Sequence, residues 1–149
     1  IMILFVDETE CEDYFIVAGL LTDSKLKTDA TFKKFKKKVK NFPISPKDKE
    51  KIFTEFKSVI LDKKYQRIKV CMLEHISTMN YSIYYAVYKK KSKSFYQQEK
   101  ENVYISLLNK IVSQIDCEID IIFDTFNKTD FELKIIESIK QNNNVLSIV

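Results

Sequence analysis

Two apolar runs in this chain each stop at a carboxylate: Ile3-Leu-Phe-Val-Asp7-Glu8 near the start and Ile119-Asp-Ile-Ile-Phe-Asp124 near the end. Short apolar runs rich in β-branched and aromatic residues are the pattern of strands buried on both faces. If the two strands lie side by side, both acids arrive at one edge of a sheet. Such a pair can hold a hard divalent cation, because Mg²⁺ and Mn²⁺ favour oxygen ligands, and a cation so held can activate water against a phosphodiester. Each Asp taken alone has a second reading, as a turn residue that ends its strand by bonding its own downstream backbone.

The rest of the chain favours one well-packed domain. With 149 residues, 45% of them hydrophobic, it can bury a sizeable core over 1–149. Its one glycine (Gly19) and two prolines (Pro43, Pro46) imply that most residues sit in regular elements. The longest apolar stretch, Tyr14 to Leu21, is far short of the roughly 20 residues of a membrane span, and no signal-peptide order is present. A cytoplasmic protein with no membrane partner is the expectation. Cys11, Cys71 and Cys117 are odd in number and isolated, which reads as reduced thiols. With His75 they lack the close spacings of a zinc site. A single histidine, no Gly-x-Ser-x-Gly elbow and no Gly-rich loop argue against hydrolase triads, P-loops and dinucleotide sites.

Charge is strongly segregated beneath a formal net of +4. Residues 1–23 carry six acids and no lysine or arginine, whereas 25–64 carry fourteen lysines against five acids, including Lys33, Lys34, Lys36, Lys37, Lys38 and Lys40. A second basic run holds Lys89, Lys90, Lys91 and Lys93, and 116–137 is acidic again, with seven acids and two lysines. Lysines that neutralise phosphates beside carboxylates that hold a metal are what a nucleic-acid enzyme needs. Lysine-rich solvated helix faces have the same composition, so the charge pattern alone leaves both readings open.

Periodicity gives an alternation of strands and helices. Ile3–Val6 and Tyr14–Leu21 form an antiparallel hairpin. Leu26, Phe32, Phe35 and Val39 fall at helical spacing within 24–40. Ser45, Pro46 and Asp48 mark the start of a second helix through Ile52, Phe53, Phe56, Val59 and Ile60, so 24–64 is a basic helical insertion. Arg67–Leu73 reads as a third strand, and Tyr81, Tyr84, Tyr85 and Tyr88 as a helical stripe; tyrosines interleaved with lysines can stack on nucleobases, but at helical spacing the core is the favoured place for them. A long helix then carries Val103, Tyr104, Leu107, Leu108 and Ile111. Cys117–Phe123 is a fourth strand, Thr129–Glu132 a capping box opening a helix, and Val145–Val149 a fifth strand. The expected fold is α/β, a mixed five-stranded sheet with its first strands antiparallel and its first and fourth parallel. That pairing puts Asp7 and Asp124 about 4.8 Å apart across the ladder.

This order of elements, with acids after strands one and four, resembles the ribonuclease H-like superfamily. More narrowly, Phe5-Val-Asp7-Glu8-Thr9, the strand Tyr14-Phe-Ile-Val-Ala-Gly19-Leu-Leu, Val103-Tyr-Ile-Ser-Leu-Leu108 and Ile121-Ile-Phe-Asp124 resemble the domain of unknown function 3800 family over essentially the whole chain. Thr9-Glu10 stands where that family has Ser-Gly, no Glu-x-His occurs around Phe42–Ser45, and no Gln-x-Ala-Asp helix precedes Val149. The expectation is therefore a ribonuclease H-like domain lacking its closing helix. The resemblance implies a Mg²⁺- or Mn²⁺-dependent nuclease with Asp7, Asp124 and Glu8 catalytic and Asp7 and Asp124 on the metal. Glu74, Glu99 and Glu101 rank behind them. Lys33, Lys34, Lys36, Lys37, Lys38, Lys40, Lys89, Lys90 and Lys91 are the candidate contacts to DNA or RNA. The alternative is a non-catalytic module that binds nucleic acid or an acidic protein partner, and an open sheet edge adds self-association to the possibilities.

Overall fold

The structure is a computed structural model describing residues 1–54, 65–92, 94–124 and 129–149. Its strands are β1 (Met2–Glu10), β2 (Tyr14–Thr22), β3 (Tyr81–Lys89), β4 (Ile119–Phe123) and β5 (Val145–Ile148). Its helices are α1 (Lys25–Val39), α2 (Pro46–Thr54), α3 (Gln66–Ser77), α4 (Gln97–Ser113) and α5 (Thr129–Ile139). The chain forms two compact units, Ile1–Asp23 with Tyr81–Val149, and Ser24–Asn80.

The first unit is built on a five-stranded sheet in the order β3-β2-β1-β4-β5. β1 runs antiparallel to β2 and parallel to β4, β2 is antiparallel to β3, and β4 is parallel to β5. This is the expected mixed sheet. Side chains alternate between its faces, so Leu4, Val6, Phe15, Val17, Leu21, Ile119 and Ile121 share one face. There they form a single buried cluster with Tyr104, Leu107, Leu108, Ile111 and Val112 of α4 and Ile135 and Ile139 of α5. Gly19 belongs to this helix face. A Cβ built on it would stand 2.7 Å from Leu4 Cδ1, so only glycine leaves that leucine its place. Polar side chains tie the ends of the two helices: Asn109 donates to Ser138 Oγ at 2.8 Å, and Asn142 donates to Asn109 Oδ1 at 2.8 Å.

The second unit packs Phe35 and Val39 of α1, Ile52 of α2, and Ile68 and Cys71 of α3 into its own core. Ser24 caps α1 by accepting from the Lys27 N–H at 3.3 Å. Ser45 caps α2 as expected, accepting from the Asp48 N–H at 3.2 Å and donating to the Asp48 carboxylate at 2.8 Å. The expected continuation of that helix through Phe56, Val59 and Ile60 lies outside the described residues, as does the Thr129 side chain on which the capping-box expectation rests.

Two elements differ from expectation. Arg67–Leu73 is helical, part of α3, not a strand. Its buried residues Ile68 and Cys71 are three apart, while Val70 and Leu73, which strand alternation could not separate from them, are 47% and 65% exposed. Conversely Tyr81–Tyr88 is strand β3, not a helix, and pairs with β2 from Thr22↔Tyr81 to Tyr14↔Lys89. In a segment where nearly every residue is apolar, both periods find matches. The β propensity of Tyr, Ile and Val then decides. The tyrosines separate accordingly: Tyr84 and Tyr88 pack on the helix-face core, while Tyr81 and Tyr85 stand on the opposite face, the latter 71% exposed.

Candidate functional site

The parallel register fixes the two sequence-marked acids. β1 and β4 pair from Met2↔Ile119 to Val6↔Phe123, and there the pairing ends. Asp7, within β1, and Asp124, one residue past the end of β4, are the residues that follow the last pair. β1 continues beyond this point against β2 alone, to Glu10↔Phe15. Because the strand does not end between them, Asp7 and Glu8 leave it on opposite faces: Asp7 pairs with Ala18, and Glu8 with buried Val17 on the helix face. The Asp7 carboxylate accepts the adjacent Glu8 N–H at 2.9 Å.

The three acids nevertheless interact. Burial raises the proton affinity of Glu8, the Asp7 charge adds to that rise and the Asp124 charge contributes further, while the Glu8 N–H and Lys100 oppose it. Glu8 still reaches solvent, so this is a partly desolvated carboxyl held among like charges. Beneath it lies Tyr104, 2% exposed. Burial, Glu8 and Asp7 all push the Tyr104 hydroxyl far above its ordinary range, so it stays a neutral phenol.

A neighbouring cluster neutralises the far end of β1. Glu10 accepts from Lys90 Nζ at 2.6 Å and pairs with Lys100 Nζ at 2.5 Å, and the two ammonium groups lie 5.3 and 5.7 Å from the Phe95 ring centroid. These bonds hold the Glu10 carboxyl below its usual range. Lys90 also donates to the Cys11 carbonyl at 2.7 Å, and its side chain is only 7% exposed. Its ammonium is thus committed within the fold, whereas Lys89 and Lys91 beside it are exposed. Lys93 lies outside the described residues.

The other expected residues fall as follows. Lys33, Lys34, Lys37, Lys38 and Lys40 are exposed in and just after α1, and Lys36 is half-buried with its Nζ 4.6 Å from the Phe32 ring centroid. They belong to the second unit, as does Glu74 on α3. Glu99 accepts from the Tyr88 hydroxyl at 3.2 Å, and Glu101 accepts from Gln97 at 3.3 Å and pairs with Lys134 at 3.8 Å. Three participants carried no sequence signal as site residues. Lys100 and Tyr104 are brought to the acids by α4. Glu132 of α5 lines, with Asp124 and Ile148, a hollow of about 370 Å³ at the ends of β4 and β5.

The donor chemistry of Asp7 and Asp124 fits a hard divalent cation, which would also relieve the like-charge crowding at Glu8. Among the described residues no group of three or more His, Cys, Asp or Glu is gathered for a metal. The described residues include no helix long and apolar enough to cross a membrane. Neither a protein-family model nor a curated protein matches the chain.

Proposed function

We propose that this chain is a metal-dependent phosphodiesterase of the ribonuclease H-like kind, a nuclease acting on DNA or RNA. The observation that supports the reading is the placement of Asp7 and Asp124 one residue past the last parallel pair, Val6↔Phe123. In this reading both carboxylates bind Mg²⁺ or Mn²⁺. A cation held there would supply Lewis acidity toward a phosphodiester. Glu8, next to Asp7 on β1, is the third catalytic carboxyl of this reading. Lys89 and Lys91 contact backbone phosphates, and the exposed lysines of α1 offer a basic surface on their own unit. Free thiols at Cys11, Cys71 and Cys117 suit a reducing, cytoplasmic setting.

A second reading follows from the donor count: with two carboxylates and no third ligand gathered among the described residues, the sheet is a scaffold and the lysines dock nucleic acid or an acidic protein without catalysis. Calorimetry with Mn²⁺ separates the two. Wild type is expected to bind, and Asp7→Asn and Asp124→Asn, each folded by circular dichroism, are each expected to lose most of that binding. Their Mn²⁺-dependent cleavage of oligonucleotides should vanish as well. Failure of the wild type to bind Mn²⁺ would leave the non-catalytic module.

A further inference from the structure

On the sheet face opposite α4 and α5, the register aligns three residues in one row: Asp7 pairs with Ala18, and Ala18 pairs with Tyr85. With strands about 4.8 Å apart, the Tyr85 backbone is about 10 Å from that of Asp7, on the same face. The small Ala18 between them leaves a hollow of about 310 Å³, lined by Phe5, Asp7, Ala18, Gly19, Leu20 and Ile83. Asp7 is its one charged side chain. Along β3 the same face carries Tyr81, Ile83, Tyr85, Val87 and Lys89, with Tyr85 71% and Ile83 61% exposed. Lys89, also exposed, lies four residues beyond Tyr85, about 13 Å along the strand.

Resting on the proposed nuclease reading, we infer that this face is the seat of a single-stranded nucleic acid. One unpaired base stacks on Tyr85 over the Ala18 hollow, a neighbouring phosphate reaches Lys89, and the strand leads toward Asp7. A base offers a flat apolar face to Tyr85 and Ile83, and its phosphates complement the lysine, which is the chemistry by which single strands are held without sequence readout. A purely apolar occupant fits less well. A second copy laid over the same face would bury the Asp7 carboxylate away from water unless its Lys89 met that acid, and the sedimentation arm of the test reads that case. A double helix keeps its bases stacked on one another and cannot offer one to Tyr85.

The test is fluorescence anisotropy of a labelled oligothymidylate with the full chain in EDTA, so that binding is read without cleavage. Tyr85→Ala is expected to weaken single-strand binding about tenfold, Tyr85→Phe to restore it, and Tyr96→Ala, which removes another exposed tyrosine at the start of α4, to leave it unchanged. Duplex of the same sequence should respond to none of the three. Tyr85→Ala binding as tightly as wild type, or losing duplex and single strand equally, overturns the inference. So does a wild type that sediments as a dimer and becomes monomeric on Tyr85→Ala with its single-strand affinity intact, which would assign the face to a second copy. The nuclease reading is scored separately in the same samples: Mn²⁺-dependent cleavage that survives Asp7→Asn defeats that reading while the stacking result stands. Cleavage that requires Asp7 alongside an indifferent Tyr85 does the reverse.

Discussion

Gly19 shows how one side chain, or its lack, sets the ground beneath the site. It pairs with Val6 on β1 and Tyr84 on β3, so it sits in the middle of the sheet one residue from the Asp7–Ala18 row. A Cβ there would meet Leu4, a fully buried residue, at 2.7 Å. The contact is with a core side chain boxed in by α4, not with a flexible surface tip, so relief requires the sheet or helix to shift. Gly19→Ala is therefore expected to destabilise the protein by about 1–3 kcal/mol, read as a lowered urea midpoint with an unchanged slope. Gly19→Ala matching wild-type stability would mean that Leu4 has a second rotamer to occupy. Sequence alone could identify Gly19 as the only glycine. It could not say which face the missing side chain would meet, because that depends on the pairing.

At the scale of elements, Glu10 joins three segments: its carboxylate at the end of β1 holds Lys90 just beyond β3 and Lys100 on α4. Both bonds favour its charged form, so its proton affinity is lowered in the folded state from the ordinary glutamate value of 4.5. The sign follows directly. The stabilisation is present above the unfolded value, and it is lost as pH falls from 4.5 through the lower folded value. Melting temperature should thus drop on acidification through that window, and Glu10→Gln should be less stable than wild type at neutral pH with a shallower acid limb. Equal acid limbs in the two proteins would show that the junction is held by Phe95 packing instead. This junction was invisible in the sequence, since Glu10 and Lys90 are far apart and belong to charge runs of opposite sign. What was legible were β1, β2, β4 and β5, whose apolar runs fit only one period. The exchange of strand and helix at Arg67–Leu73 and Tyr81–Tyr88 happened where both periods fitted, and it had a cost for the site. With Tyr81–Tyr88 read as a buried helical stripe, Tyr85 could not be placed on the same face as Asp7. The parallel pairing of β1 with β4, by contrast, followed from their two apolar runs and the order of elements.

For the molecule as a whole, the two units are joined in an unusual way: the second is not appended to the first but let into it, between Thr22 and Tyr81. Those two residues are register partners at the end of the β2–β3 ladder. The chain leaves and re-enters the sheet unit at adjacent points, where an ordinary hairpin would carry a two-residue turn. Replacing 23–80 by Asn-Gly is therefore expected to yield a protein that unfolds cooperatively, retains the β-sheet signature in circular dichroism and keeps the Mn²⁺ response of Asp7 and Asp124, while losing the lysines of α1 and with them part of the salt dependence of any nucleic-acid binding. An excised protein that cannot fold would show that the sheet needs the inserted unit. The arrangement also orders events during folding. In the natural chain β3 can join β2 only by closing a loop that contains an entire second core, and an ordered insert with its ends held together lowers that closure entropy. The mouth of the β2–β3 hairpin is in this sense a socket, a position at which the protein can exchange one accessory module for another without disturbing the acids at the far side of its sheet.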